Sequence, residues 1–187
     1  MAVRSARPVI GAVKAEVGKL ITLPSPAVTV ALTWAVTVLV RQADPPGGAV
    51  PYSQAGVLVL GVLAAGHEYQ RGGQIRATLL AVPRRPLLFA AKTVALLMTA
   101  GPAVFVAALL AGEPGATGGL LLDLLLAAGV ATIVRHPVGA TAAVLTAYQI
   151  VVPLIRNGLP DVALPPAPVW SAAIIAAAAV TFHRRDA

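Results

Sequence analysis

The stretch that decides the fold is LLLDLLLAAGVATIV, at residues 120–134. Its apolar side chains follow one another without alternation, whereas a strand of a membrane barrel would alternate apolar and polar residues over about ten positions. A continuous apolar run of this kind is typical of a helix that crosses a bilayer. Asp123 interrupts the run, but the surrounding leucines outweigh its insertion cost of about 3 kcal/mol. We therefore predict a span with Asp123 near the end that it follows.

The rest of the chain has the same character. It contains 187 residues, of which 58% are hydrophobic and 11% are charged, and its mean hydropathy is +0.84. Apolar blocks separated by short polar segments predict an all-α integral membrane protein rather than a soluble domain. The chain has no cysteine, which excludes disulfides, thiolate metal sites and cysteine nucleophiles.

About six transmembrane helices are predicted, all within a single transmembrane domain over residues 1–187. The predicted spans cover about 24–40, 52–67, 86–112, 118–134, 138–155 and 168–182. Most of them approach the roughly 20 residues that a helix needs to cross the hydrocarbon core. The first, second and sixth spans are short, so a five-span arrangement is the alternative.

The basic residues predict the orientation of these spans. With the N-terminus inside, the inner segments hold Arg4, Arg7, Lys14, Lys19, Arg71, Arg76, Arg84, Arg85, Lys92, Arg135, Arg184 and Arg185. The outer segments hold only Arg41 and Arg156. Because Lys and Arg accumulate in cytoplasmic loops, both termini and residues 67–86 are predicted to be cytoplasmic. The net charge of +7 then reflects topology and contact with membrane lipid, and nucleic acid is not an expected partner.

Two segments outside the spans keep helical periodicity. In residues 8–20, Val9, Val13, Val17 and Leu20 fall on one face, which suits a helix lying in the interface of the inner leaflet.

The second periodic segment lies between spans two and three. Ile75, Leu79 and Val82 repeat at the spacing of one helix face, and Pro83 ends the run. A helix of about two turns is unstable alone, so this one must pack on lipid, on the span ends or in the groove of a partner.

No catalytic motif is present, and the chain is not expected to be an enzyme. The Gly18–Lys19 pair is followed by Leu20 instead of Ser or Thr and belongs to no P-loop. The segment after His67 and Glu68 reads YQR, which does not complete a zinc-protease motif. The chain is therefore predicted to bind no cofactor of its own.

Residues 68–92, EYQRGGQIRATLLAVPRRPLLFAAK, resemble the membrane (permease) subunits of bacterial type-2 ABC exporters. The matching positions are Glu68, Gly73, Arg76, Leu79, Pro83, Arg85 and Lys92. The segment EVGKLIT at 16–22 is similar to the opening of many such permeases, through Glu16, Lys19, Leu20 and Thr22. The chain departs from the pattern at Gln74, where Thr or Met is more usual, and in its short outer segment at 156–168.

The resemblance implies a mechanism and a set of partners. Residues 68–85 would form a coupling loop whose short helix seats in a separate ATPase subunit, which would bind the ATP and magnesium. The residues implied in coupling are Glu68, Gly73, Ile75, Arg76, Leu79, Val82, Pro83 and Arg85. Glu16, Lys19 and Leu20 would belong to the interfacial helix. Two permease subunits, identical or different, would form the substrate path as a dimer in the bacterial plasma membrane.

The substrate path itself has few sequence markers. Asp123, Tyr148 and Gln149 are the most polar residues in spans four and five, and intramembrane polar residues are functional candidates. Interhelical hydrogen bonds are the structural alternative for these side chains. A mostly apolar interior suits a lipid-like or drug-like cargo. Two other functions stay open: a non-transporting permease-like protein, such as an immunity or assembly factor, and a small secondary transporter.

Overall fold

The computed structural model describes residues 3–45, 48–70, 85–158 and 167–185, and these residues form helices and short connections without a strand. The α-helices are α1 (Val3–Thr22), α2 (Pro24–Gln42), α3 (Val50–Gln70), α4 (Arg85–Ala111), α5 (Thr117–Val134), α6 (Pro137–Thr146), α7 (Val152–Gly158) and α8 (Ala167–Arg185). A 3-10 turn at Pro114–Ala116 precedes α5, and a π turn at Ala147–Val151 joins α6 to α7. The prediction of an all-α protein is confirmed.

Five segments are long and apolar enough to cross a membrane. They are Pro24–Gln42, Val50–His67, Leu88–Ala111, Pro114–Val134 and Pro137–Ile155. The predicted sixth span corresponds to Pro168–Phe182, which is apolar but shorter. It lies within α8, a helix of 19 residues that would be about 28 Å long. The described residues therefore support a helical membrane protein with five clear spans, and the sixth span stays a prediction.

Helix α3 lies at the centre of the bundle because three glycines let three neighbours approach it. A Cβ atom on Gly56 would lie 2.1 Å from Oγ1 of Thr33 in α2. One on Gly61 would lie 2.4 Å from the backbone oxygen of Leu124 in α5, and one on Gly66 would lie 3.0 Å from Pro137 at the start of α6. A spacing of five residues rotates each glycine by roughly 140° from the last. The three glycines therefore face three different helices.

Two apolar clusters fill the space around α3. The first joins α3, α4 and α5 and includes Val57, Val104 and Leu124, all nearly inaccessible to solvent. The second joins α3, α5 and α6 and includes Leu58 and Val144. Small residues are frequent at these contacts, as expected where close van der Waals packing drives helix association in a bilayer.

Helix α2 packs on the edge of the bundle and exposes most of its surface. Leu32, Val36 and Leu39 are exposed apolar side chains on this helix, as lipid-facing residues would be. Two polar contacts attach its other face. Trp34 Nε1 donates to the carbonyl of Ala103, at 3.0 Å, and the Thr37 and Ser53 hydroxyls lie 2.9 Å apart in a buried hydrogen bond.

Arg41, at the end of α2, caps the C-terminal end of α4. Its Nη1 donates to the carbonyls of Leu109 and Leu110, at 3.2 and 3.0 Å. The last carbonyls of a helix have no partner within the helix, and a cation there is favourable. Gly112, with φ of 85°, ends α4 and leaves room for the guanidinium. The presence of a charged residue at position 41 is thus explained by its capping of α4.

Candidate functional site

Two regions of the bundle bring together the polar residues that the sequence singles out. The first lies where α3, α5 and the π turn meet. Asp123 is only 5% exposed, and its Oδ2 atom accepts a hydrogen bond of 2.7 Å from Nε2 of Gln54. The Tyr148 hydroxyl also donates to the Asp123 side chain. We call Gln54, Asp123 and Tyr148 the polar cluster. Asp123 lies in the first half of α5, and its side chain faces the bundle interior.

The polar cluster depends on the π turn Ala147–Val151. Pro153 lies just after this turn, and a proline inside a helix clashes with the carbonyl four residues earlier, here that of Gln149. A widened turn relieves such a clash, and π turns of this kind occur frequently at functional sites. The local sequence therefore explains why the helix widens where it carries Tyr148 and Gln149.

Gln149 contacts a different part of α3 from Tyr148. Its Nε2 atom donates to the carbonyl of Pro51, at 3.1 Å. Pro51 lies three residues before Gln54 on the same helix. Two successive residues of the π turn thus attach to α3, one directly and one through Asp123. The interhelical hydrogen bonds predicted as the structural alternative are present.

A buried carboxyl group with two donors has a defined chemistry. When the carboxyl group is charged, it accepts hydrogen bonds that offset part of the cost of leaving water. When it is neutral, its hydroxyl can also donate a hydrogen bond. Such a group can hold a proton or contribute to a cation site within a membrane. Among the described residues no three acidic or histidine side chains group as metal ligands would.

The second region lies where α1 packs against α4. Glu16, on α1, is buried at 6% exposure, and Lys19 Nζ lies 3.5 Å from its Oε1 atom. Leu20 follows on the same helix. The three residues predicted for the interfacial helix thus lie at one junction, and Glu16 faces the interior.

A cavity of about 70 Å³ lies behind this junction, and we call it the α1 cavity. Five helices contribute its lining, which is Glu16, Leu20, Ala64, Ala65, Tyr69, Phe89, Lys92, Thr93, Leu96, Leu125, Ala128, Gly129, Thr132, Ile175 and Phe182. Among the described residues that line it, Glu16 and Lys92 are charged. Both come from segments that the sequence marks as functional.

A larger apolar groove adjoins the α1 cavity. Its volume is about 330 Å³, and we call it the α2–α4 groove. Its lining is Leu20, Ile21, Pro26, Ala27, Val30, Ala31, Trp34, Leu60, Ala64, Leu96, Thr99, Ala100 and Ala103. Leu20, Ala64 and Leu96 line both the groove and the α1 cavity. The two spaces are therefore neighbours with a shared wall.

Only two of the predicted coupling residues lie within the described helices. Glu68 lies in the last turn of α3, and Arg85 is the first residue of α4. Gly73, Ile75, Arg76, Leu79, Val82 and Pro83 lie outside the described residues. Their predicted helix stays a prediction.

Sequence reasoning missed two residues of these regions. Gln54, the partner of Asp123, is a polar residue within the second predicted span, and its position there was the available signal. Trp34 had no such signal, because its role as a wall of the groove depends on tertiary packing.

No protein-family model, curated protein or solved structure matches this chain.

Proposed function

We propose that this chain is the membrane subunit of an ATP-driven exporter, coupled through residues 68–85 to a separate ATPase. Two such subunits form the substrate path as a dimer in a bacterial plasma membrane, with both termini in the cytoplasm. The chain binds no nucleotide itself, and ATP and magnesium are held by the ATPase. The cargo is lipid-like or drug-like, in keeping with the apolar interior.

One observation carries this proposal. The two segments with exporter-like motifs, 16–22 and 68–92, are far apart in sequence, yet both line the α1 cavity. Glu16 and Leu20 come from the first segment, and Tyr69 and Lys92 come from the second. Gln70 ends α3 and Arg85 begins α4, so a partner that binds residues 71–84 would act on both helices. It would also act on α1, because Glu16 and Leu20 of α1 line the same cavity as these two helices. This arrangement suits a coupling element.

Ile75, Leu79 and Val82 form the apolar face that buries in the ATPase. Arg76 steers the approach to an acidic rim, because complementary charge mainly accelerates association and is screened by salt. In the predicted helix, Leu80 would lie roughly 100° from Leu79, away from the proposed contact. Leu80 therefore provides a matched control.

The test is co-purification of the tagged protein with the ATPase encoded beside it, or failing that with an ATPase from the same cell. We expect Leu79→Asp to abolish co-purification, and Leu80→Asp, with the same change of side chain, to retain it. Membrane insertion of both variants is checked by fractionation. If the wild-type protein captures no ATPase, or if both variants behave alike, the coupling proposal is wrong.

A second function is favoured by the polar cluster, namely transport coupled to a proton or cation without ATP. Its carrier would be Asp123, which is buried between Gln54 and Tyr148. Uptake or efflux in ATP-free vesicles with an imposed pH gradient distinguishes the two functions. Transport that requires the gradient and is lost in Asp123→Asn would favour the secondary transporter. Transport that requires the ATPase would exclude it.

A further inference from the structure

We propose that the α2–α4 groove holds one acyl chain of a membrane phospholipid. The acyl chain enters where α1 ends and α2 begins, and its methyl end lies against Trp34. The site requires that α2 and α4 cross a membrane, and it is formed within one copy of the protein. The inference therefore does not depend on the proposed function.

The groove occupies the first half of the span that α2 forms. On α2 its lining runs from Pro26 to Trp34, about 12 Å at 1.5 Å per residue. The span starts at Pro24, so the groove begins close to one edge of the hydrocarbon core. One leaflet contributes about half of the core thickness of roughly 30 Å. The groove thus has the depth of one leaflet, which is the depth that an acyl chain occupies.

The groove is closed at its far end and open where α2 begins. Trp34 and Ala103 are the last residues of α2 and α4 to line it, and the Trp34 indole donates to the Ala103 carbonyl at 3.0 Å. Beyond this bridge Arg41 caps the end of α4, so the two helices continue side by side. At the open end Ile21 is 70% exposed. A linear chain can therefore enter from one end and stop at Trp34.

The side of the groove opens onto the apolar surface of the bundle. Ala27 and Ala31 line the groove and are exposed, and the neighbouring side chains of Val28 and Leu32 are exposed as well. Because this helix is long and apolar enough to cross a membrane, the medium beside the opening is hydrocarbon. Acyl chains are then the molecules available to enter.

The lining accepts hydrocarbon and does not suit a polar ligand. Among the described residues that line the groove, Trp34 and Thr99 have polar side chains, and they donate to the carbonyls of Ala103 and Ala95. A polar ligand there would go without hydrogen bonds. An empty groove would leave its walls without van der Waals contacts, which are a main source of helix association in a bilayer. An acyl chain supplies these contacts and needs no hydrogen bond.

The test counts phospholipids on the full-length protein after extraction into a mild detergent. The protein is incubated with phosphatidylcholine that carries bromine near the methyl end of one chain, free lipid is removed, and native mass spectrometry gives the number bound. In Trp170→Phe, Trp34 is the sole tryptophan, so its fluorescence reports whether the bound chain reaches the far end. We expect one lipid per copy and strong quenching of Trp34, with weaker quenching when the bromine lies near the ester.

Three alanines on one face of α2 provide matched variants. Ala27, Ala31 and Ala35 are spaced by four residues and all are exposed, but Ala27 and Ala31 line the groove whereas Ala35 lies beyond Trp34. Ala27→Phe and Ala31→Phe fill the groove, and each should lose the bound lipid and the quenching. Ala35→Phe adds the same ring to the same exposed face and should retain the lipid. Size-exclusion chromatography checks folding, and the two filling variants test the site independently.

Several results would overturn the proposal. One is a wild-type protein that retains no phospholipid, and another is a lipid count that all three alanine variants change alike. Stronger quenching by bromine near the ester would show that no chain enters in the proposed direction. Lipid-free dimers that Ala27→Phe and Ala31→Phe dissociate, but Ala35→Phe does not, would assign the groove to a second copy of the protein.

Discussion

The polar cluster and the α1 cavity differ in what surrounds their polar side chains. In the cluster, Gln54 and Tyr148, from two different parts of the chain, both hydrogen-bond to Asp123. In the α1 cavity, Glu16 and Lys92 line an open space that adjoins a larger apolar groove. Hydrogen bonds between side chains of different helices hold those helices together, whereas Glu16 pairs with Lys19 on its own helix. The first region should therefore respond to mutation with the larger loss of stability.

The largest effect is expected at Gly61, where α3 crosses α5 beside the polar cluster. In Gly61→Ala the new Cβ would lie 2.4 Å from the Leu124 carbonyl oxygen, so the helices must separate. Overpacking of this kind costs about 3 kcal/mol. Unfolding in mixed detergent micelles measures the loss.

The matched control for Gly61→Ala is Gly118→Ala in α5, where an added Cβ meets no atom within 4 Å. This control should stabilise the protein slightly, because alanine favours helix over glycine. Equal losses in both variants would show that the α3–α5 contact is not as close as described.

The second effect is expected at Asp123. Asp123→Leu leaves the donors of Gln54 and Tyr148 without their acceptor, which costs about 2 kcal/mol. Asp123→Asn keeps one acceptor oxygen and should cost less.

A double-mutant cycle tests whether the Gln54–Asp123 pair is the cause. Gln54→Leu combined with Asp123→Leu should cost less than the sum of the single changes, with a coupling of about 0.6–1.7 kcal/mol, as interhelical pairs in membranes show. Additive losses would mean that the two side chains do not act as a pair, and the polar cluster would lose its structural role.

A third, smaller effect is expected at Thr37, which lies on the attached face of α2. Thr37→Val keeps the shape of the side chain and removes the buried hydrogen bond to Ser53, which should cost about 1 kcal/mol. Thr22→Val is the control, since Thr22 is exposed and bonds only to carbonyls of its own helix. A loss confined to Thr37→Val, measured by the same unfolding assay, confirms the attachment of α2.

Much of this fold follows from the sequence, because lipid requires each spanning segment to satisfy its own backbone hydrogen bonds. The apolar run at 120–134, with Asp123 as its one charged residue, therefore indicated α5, and five of the predicted spans correspond to long apolar helices. The sixth predicted span corresponds to a shorter apolar segment, Pro168–Phe182.

The sites were harder to predict, because they depend on which helix faces meet. Asp123, Tyr148 and Gln149 could be selected as polar residues in apolar spans. Their connection to α3 depends on the π turn before Pro153 and on Gln54, whose side chain extends from α3 to Asp123 in α5. The spacing of Gly56, Gly61 and Gly66 did not indicate a common face, and α3 contacts a different neighbour at each of them.

The smallest change in stability is expected at Glu16, and it distinguishes the two regions most directly. In Glu16→Gln the contact of 3.5 Å with Lys19 loses its charge, and because Lys19 is partly exposed this costs less than about 1 kcal/mol. The unfolding assay used for Asp123→Leu measures this loss. A loss of stability as large as that of Asp123→Leu would place Glu16 with the polar cluster and remove the distinction between the two regions.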